Sequence, residues 1–340
     1  AIIDGLPDDA VVVANEFVSA RANILAENLA KWGSPNCIVC NSDTEVFSRP
    51  IFDIVAVDAP CSGEGMMRGE PTAVEQWSPR LIDSCASLQR QILDKAAMAV
   101  RPGGFLVFST CTYNQKEDEE NARYVVDSLG FTPVEIPVES AWNIHPAIGF
   151  DIPAMRFIPG VAGGEGLFAT VFQKNADADS DLQTPRNSKR KNEIKNFAKI
   201  KAPECSAWVR PDFSDFRSQR DNIYAMSAAT ADTLGMLTPT TKILSAGIEV
   251  ATAKGRDFVP SPKLAMSLGL RRGPFPEVEG DETMALAFLR RETLTLPSST
   301  PKGYVLLTFS GYPLGFMKNL GSRANNLYPN EWRIRIQARD

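Results

Sequence analysis

The sequence predicts an α/β protein built on a doubly wound, mostly parallel sheet, followed by a small α+β unit and a small β-barrel. Three observations carry that reading. Strand and helix patterns alternate through the first half, as βαβ units require. Two buried strand patterns, residues 51–57 and 105–109, run straight into polar loops that each deliver a cysteine, Cys61 and Cys111. Towards the C-terminus, short strands between Gly-rich turns replace the alternation and suggest a barrel.

Residues 11–14 form the first strand. Ser19–Trp32 is a helix with Val18, Leu25, Leu29 and Trp32 on one face, stopped by Gly33. Cys37–Cys40 is the second strand. Residues 51–57 form the third, bounded by Pro50 and Pro60 and rich in Ile and Val. Ser78-Pro79 opens a long helix whose Leu81, Cys85, Leu88, Ile92 and Ala99 recur at helical steps, and Arg101-Pro-Gly-Gly104 ends it. Residues 105–109 are the fourth strand. Residues 117–129 are a helix with acids in its first turn, closed by Gly130. Strands follow at 131–136, 155–158 and 167–172. Further on, a helix, a Pro/Gly turn and a second helix occupy 261–287, with strands at 303–309, 312–316 and 332–336. The expected domains are 1–174, an Asp- then Lys/Arg-rich linker at 175–201, a small α+β domain at 202–265, and a barrel at 266–340.

The composition is that of an ordinary soluble protein, with 44% hydrophobic and 23% charged residues. Apolar runs are strand-length, too short for a membrane helix, and the N-terminus shows no basic start or apolar core of a leader. The six cysteines show no metal-type pairing, since Cys37 and Cys40 share one strand. Reduced thiols, a cytoplasmic location and no metal are therefore expected. A net charge of −5 argues mildly against nucleic acid as a partner. Basic clusters at 189–201, 271–272, 290–291 and Arg333/Arg335 still allow a basic face.

The run Asp58-Ala-Pro-Cys-Ser-Gly-Glu-Gly-Met-Met-Arg68, with Trp77-Ser78, Gln89-Arg-Gln-Ile-Leu93, Arg101-Pro-Gly-Gly104 and Ser109-Thr-Cys-Thr112, resembles the Sun-type RNA cytosine-5 methyltransferases, especially the RsmF-like branch that acts on ribosomal RNA. The resemblance covers about residues 1–174. It extends more weakly to Gly311-Tyr-Pro-Leu-Gly-Phe-Met-Lys318 and Asn325-Asn-Leu-Tyr-Pro329, which are similar to that branch's PUA-like RNA-binding domain. It implies a class I S-adenosylmethionine-dependent fold. The family's first motif, a glycine loop with a lysine, is not in this sequence, so the first βα unit is expected to be missing.

The resemblance also implies roles. Carbon 5 of cytosine is a poor nucleophile until a thiolate adds at carbon 6. Cys111 would be that thiolate, and Cys61 would assist release. Asp58 would hydrogen-bond the ring edge, standing beside both substrate and cofactor. Cys61 or a nearby water would take the carbon 5 proton. Glu16, just past the first strand, would bind the ribose hydroxyls of S-adenosylmethionine. Asp43 matches the adenine position, though a turn or N-cap role suits it nearly as well. Pro60, Arg68 and Thr110 are expected at the RNA substrate, with Arg68 equally readable as an ordinary exposed arginine. The branch's Lys-Asp after the Met-Phe-Arg segment is Gly69-Glu70 here. The alternatives are an inactive RNA-binding assembly factor, a transfer-RNA cytosine-5 methyltransferase, and an amino-group methyltransferase, which would need no cysteine.

Overall fold

The computed structural model describes residues 2–176, 197–237 and 241–335. In chain order the elements are β1 (Val12–Asn15), α1 (Ser19–Trp32), β2 (Cys37–Cys40), β3 (Phe52–Asp58), α2 (Pro71–Gln76), α3 (Pro79–Ala99), β4 (Val100–Thr110), α4 (Glu119–Leu129), β5 (Phe131–Val134), β6 (Met155–Phe157) and β7 (Leu167–Lys174). After these come β8 (Ala198–Lys199), β9 (Asp215–Gln219), β10 (Asn222–Met226), α5 (Ala228–Met236), β11 (Ile243–Ala246), β12 (Ile248–Lys254), β13 (Asp257–Pro260), α6 (Pro262–Met266), β14 (Glu277–Glu279), α7 (Glu282–Leu289), β15 (Gly303–Phe309), β16 (Tyr312–Asn319) and β17 (Ala324–Asn326). They fall into two compact units, one of residues 44–190 and one of residues 1–43 with 191–340.

The first of these units holds a sheet ordered β3-β4-β7-β5, with β6 paired to β7. Only β3 and β4 run parallel; β7 is antiparallel to β4, β5 and β6. The sheet is thus mixed, because β7 is entered from β6 by a reversal of the chain and not by a helical crossover. Val57, Leu93, Val100, Leu106, Phe108, Ala122, Val125, Phe168 and Phe172 form its core. Helix α3 is set by Ser78, whose side chain accepts from the Leu81 N–H, with Pro79 at the first helical position. Strand β4 is longer than its pattern suggested, starting at Val100 and taking in Pro102-Gly-Gly104.

In the other unit, all four residues of β2 are buried, so both its edges need partners. Strand β1 pairs parallel on one side and β11 antiparallel on the other. The sheet expected to run on from β2 to β3 is therefore divided, since strand pattern does not name the partner. Gly33 ends α1 in the left-handed region, where a Cβ would stand 2.2 Å from the Met266 carbonyl oxygen. Two further sheets are ordered β13-β12-β10-β9-β8 and β14-β15-β16-β17. One core joins Cys205, Phe213, Phe216, Ile223, Val250 and Leu264 to Phe275, Leu306 and Phe316, crossing the boundary drawn at 265/266.

Two expectations are corrected here. The end of the linker is not linker: Phe197 is buried against Tyr224, and Lys199 lies in β8 and pairs with Asp215. The basic residues Lys189, Arg190, Lys191 and Lys195 lie outside the described residues. The strand at 332–336 is also not formed. Trp332 closes a 3-10 turn after Pro329 and packs edge-on against Tyr328; residue 336 is outside the described residues. The alternating apolar residues there are anchors of a turn.

Behind the ends of β4 and β6 lies a fully buried charge cluster. Arg156 of β6 donates to both Glu119 oxygens at 2.6 Å, to the Tyr113 carbonyl at 2.7 Å and to Asp118 at 3.4 Å. Burial pushes the Asp118 carboxyl up to about 8, against the hydrogen bond from Thr110 and the Arg156 charge. The Arg156 guanidinium is thus shared between two buried carboxyls, and it is closest to Glu119. Replacing Arg156 with Met strands Glu119 in the core. Urea unfolding followed by fluorescence is expected to show a loss of roughly 3–5 kcal/mol; a loss under about 1 kcal/mol would contradict the assignment.

Candidate active site

The parallel pair β3–β4 brings two strand ends to one edge. Asp58 stands opposite Ser109 in the register, and the Ala59 N–H donates to the Ser109 carbonyl. Past that point each strand opens into its cysteine loop. Cys61 Sγ and Cys111 Sγ lie 2.9 Å apart, both half-buried.

Two carboxylates cross between the loops. Glu64, from the Cys61 loop, accepts from the Thr112 hydroxyl at 2.6 Å and the Tyr113 N–H at 3.2 Å, and Trp77 Nε1 holds its other oxygen at 3.0 Å. Glu117, from the Cys111 loop, accepts from the Ser62 N–H at 3.0 Å, Gln89 Nε2 at 2.8 Å and Asn114 Nδ2 at 2.7 Å. Glu117 is fully buried. Gly65 donates its N–H to the Cys111 carbonyl, and a Cβ on it would meet that oxygen at 2.7 Å and the Gly166 carbonyl oxygen at 2.4 Å. Only glycine fits between these backbones.

The sulfur contact separates the two thiols in acidity. The hydrogen bond from the Cys61 thiol brings Cys111 down to about 7, although partial burial and the nearby Asp58 charge both raise it. Cys61 moves up, because its proton is held by the Cys111 sulfur and it is partly buried. The geometry lets either sulfur donate; the direction of the two shifts favours a proton on Cys61 and the charge on Cys111. Three of the other cysteines are unlike these, while Cys85 is partly exposed and raised by burial and by Glu117. Cys37, Cys40 and Cys205 are buried, and burial pushes Cys40 up to about 12 and Cys205 to about 11.

Asp58 and Pro60 are exposed beside the pair, and the Pro60 carbonyl accepts from Gln89. Arg68 is exposed and already bound to Glu165 at 2.7 Å and to the Gly164 carbonyl. Thr110 is fully buried and spends its hydroxyl on Asp118 at 2.6 Å, so its side chain positions the Cys111 loop from behind. Sequence reasoning did not single out Glu64, Glu117, Gln89 or Asn114 as site residues. Their one signal was that Glu64 and Gln89 stood inside motif runs already noted.

Glu16 and Asp43 belong to the other unit, at the carboxyl ends of β1 and β2. Asn15 and Asn41 tie those ends together, Asn15 to Ser42 and Asn41 to the Glu16 and Phe17 carbonyls. One Glu16 oxygen accepts from the Val18 N–H at 2.8 Å and the other faces Arg21 at 2.9 Å. A carboxylate has about four acceptor sites, so capacity remains for a ribose diol. Asp43 is exposed just past β2. Glu16 and Asp43 are both carboxylates, the acceptor chemistry that a ribose diol and an adenine amine call for. Among the described residues no group of three or more His, Cys, Asp or Glu is placed to hold a metal ion.

An α/β sheet with two cysteine loops at its strand ends, followed by a further β-rich region, is the arrangement expected of a cysteine-dependent RNA methyltransferase. Residues 1–173 match the family model described as 16S rRNA methyltransferase RsmB/F, and residues 275–334 match the methyltransferase RsmF PUA domain. The chain belongs to the 16S rRNA methyltransferase RsmB/F family. The ribosomal RNA small subunit methyltransferase F of Shewanella loihica is 29% identical over 340 residues, covering 94% of this chain and 67% of that protein. Its counterpart from Aliivibrio fischeri strain MJ11 is 26% identical, covering 96% and 70%. Among solved structures, NSun6 from Pyrococcus horikoshii with SFG is 26% identical with a TM-score of 0.44, covering 51% of this chain and 44% of that one.

The thiol pair makes a direct prediction. Iodoacetamide alkylation of Cys111, followed across pH by mass spectrometry, is expected to show a midpoint about 7. In Cys61→Ala the lowering hydrogen bond is gone while burial and Asp58 still raise the thiol. The midpoint is then expected at or above the ordinary value of about 9. An unchanged midpoint would show that Cys61 does not control Cys111.

Proposed function

We propose that this protein methylates carbon 5 of a cytidine in small-subunit ribosomal RNA, through a transient bond between Cys111 and carbon 6 of the base. The observation that carries the reading is the sulfur pair, in which one thiol donates to and activates the other. S-adenosylmethionine, when bound, supplies an electrophilic methyl group, and Glu16 and Asp43 would hold its ribose and adenine.

The residues divide the work as follows. The Cys111 thiolate adds to carbon 6, forming the S–C bond and leaving carbon 5 enamine-like. Asp58, at the end of β3, accepts from the amino edge of the base and keeps the ring over the thiolate. Cys61 gives up its hydrogen bond as the Cys111 charge is spent. The cause of its raised pKa goes with that charge, so Cys61 releases its own proton to solvent, and the resulting thiolate, or a water it orients, takes the carbon 5 proton. Loss of that proton re-forms the ring double bond, and the S–C electron pair returns to Cys111. The target base must leave its stack to reach the thiols. The PUA-type region supplies RNA contacts. Action on ribosomal RNA, as proposed, would be in the cytoplasm.

Small-subunit RNA from cells lacking this modification, incubated with methyl-labelled S-adenosylmethionine, is expected to yield labelled 5-methylcytidine by nucleoside mass spectrometry. Cys111→Ala is expected to lower the rate by more than about a thousandfold. Label in 5-methylcytidine that survives Cys111→Ala would exclude the covalent route, and label in an amino-methylated base would exclude the reaction.

A further inference from the structure

We propose that Cys61 and Cys111 are an oxidative modification site: a hydroperoxide converts them to a reversible disulfide that switches methyl transfer off. The bond rests on the geometry of the pair. Its effect on methyl transfer rests on the reading of Cys111 as nucleophile.

The two sulfurs are 2.9 Å apart. A disulfide is about 2.05 Å long, so an approach of about 0.9 Å closes it. Three ties between the loops already hold the sulfurs in register: Glu64 to Thr112 and Tyr113, Glu117 to Ser62, and Gly65 to the Cys111 carbonyl. Both cysteines keep partial exposure, whereas Cys37, Cys40 and Cys205 are buried; Cys85 is also partly exposed, but the sulfur-to-sulfur contact is between Cys61 and Cys111. A half-exposed thiolate with a resolving thiol in contact is the arrangement that oxidises selectively and reversibly.

The chemistry balances. The Cys111 thiolate attacks one peroxide oxygen and the O–O bond breaks. Cys111 becomes a sulfenic acid, oxidised by two electrons, and the other oxygen leaves as hydroxide. Cys61 loses its proton to that hydroxide, which departs as water. Its sulfur then attacks Cys111, the S–S bond forms, and the S–O bond breaks to release hydroxide, which takes up a proton. Two thiols and one hydrogen peroxide give one disulfide and two waters. Burying the charge of Cys111 in a neutral sulfenic acid also removes what holds the Cys61 proton in place. Excess thiol reverses the reaction by exchange.

The test uses the full chain, treated with a small excess of hydrogen peroxide near neutral pH, then blocked with N-ethylmaleimide. Digestion with trypsin and a glutamate-specific protease puts Cys61 alone in peptide 46–64 and Cys111 alone in peptide 96–116. The expected product is the linked pair of these peptides. Maleimide-labelled 96–116 falls about tenfold and returns with dithiothreitol. In Cys61→Ala, whose Cys111 ionises only at higher pH, the same dose is expected to leave 96–116 chiefly as the maleimide adduct, with no product that dithiothreitol reverses. Wild-type 96–116 recovered chiefly as the maleimide adduct, or as sulfinic acid, would overturn the inference. Reduced protein assayed in parallel for 5-methylcytidine keeps the two readings apart. A linked pair without 5-methylcytidine would sink the reaction alone, and 5-methylcytidine without the linked pair would sink the switch alone.

Discussion

Two buried carboxylates crossing between two loops are the constraint on which the site depends. A pair of parallel strands can set the ends of its loops side by side, but it fixes nothing beyond the last ladder hydrogen bond. Here that bond is Ala59 to Ser109, and each cysteine lies two residues further on. Glu64 and Glu117 carry the pairing past the sheet, each rooted in one loop and accepting from the other's backbone. Hydrogen bonds to a carboxylate are stronger than those between neutral groups, and these are shielded from water. The cost of burying the Glu117 charge is offset by three donors, from Ser62, Gln89 and Asn114.

The chemistry follows from that alignment. An isolated thiol at the position of Cys111 would be pushed towards neutrality by partial burial and by the negative charge of Asp58. Contact with Cys61 outweighs both. On the proposed route the same contact holds the proton on Cys61 until Cys111 has reacted, which would order the two thiols in time. Behind them the Arg156–Glu119–Asp118 cluster fixes the residues that flank Cys111, through Thr110 on one side and the Tyr113 carbonyl on the other. Cys111 is held from the front by a sulfur and from behind by buried charge.

Much of this was legible in the sequence, and the parts that were not have physical causes. Periodicity and caps found α1, α3 and α4, because Gly33, Ser78-Pro79 and Gly130 act locally. The two cysteine loops were legible because a buried strand running into a Gly-rich polar turn is a local pattern. Partnership was not legible: nothing in Cys37–Cys40 announces that β11, some two hundred residues later, lies on its free edge. Nor was burial of charge. The acids at 117–119 read as ordinary dipole partners in a helix's first turn, yet all three are fully buried. Thr110 illustrates the same limit, since its position beside Cys111 suggests the substrate while its hydroxyl points away to Asp118.

The most direct test of this account measures the acidity of Cys111 in folded Glu117→Ala protein, by alkylation across pH. Charge and alignment pull in opposite directions there. The Glu117 charge by itself raises the Cys111 thiol, so its removal alone would lower the midpoint. If Glu117 acts chiefly by holding the Cys61 loop against Cys111, its loss frees the donor thiol and the midpoint rises by about a unit or more. A rise is the result the account predicts. A fall would mean that the carboxylate acts only through its charge, and that something other than these crossed carboxylates keeps the two sulfurs together.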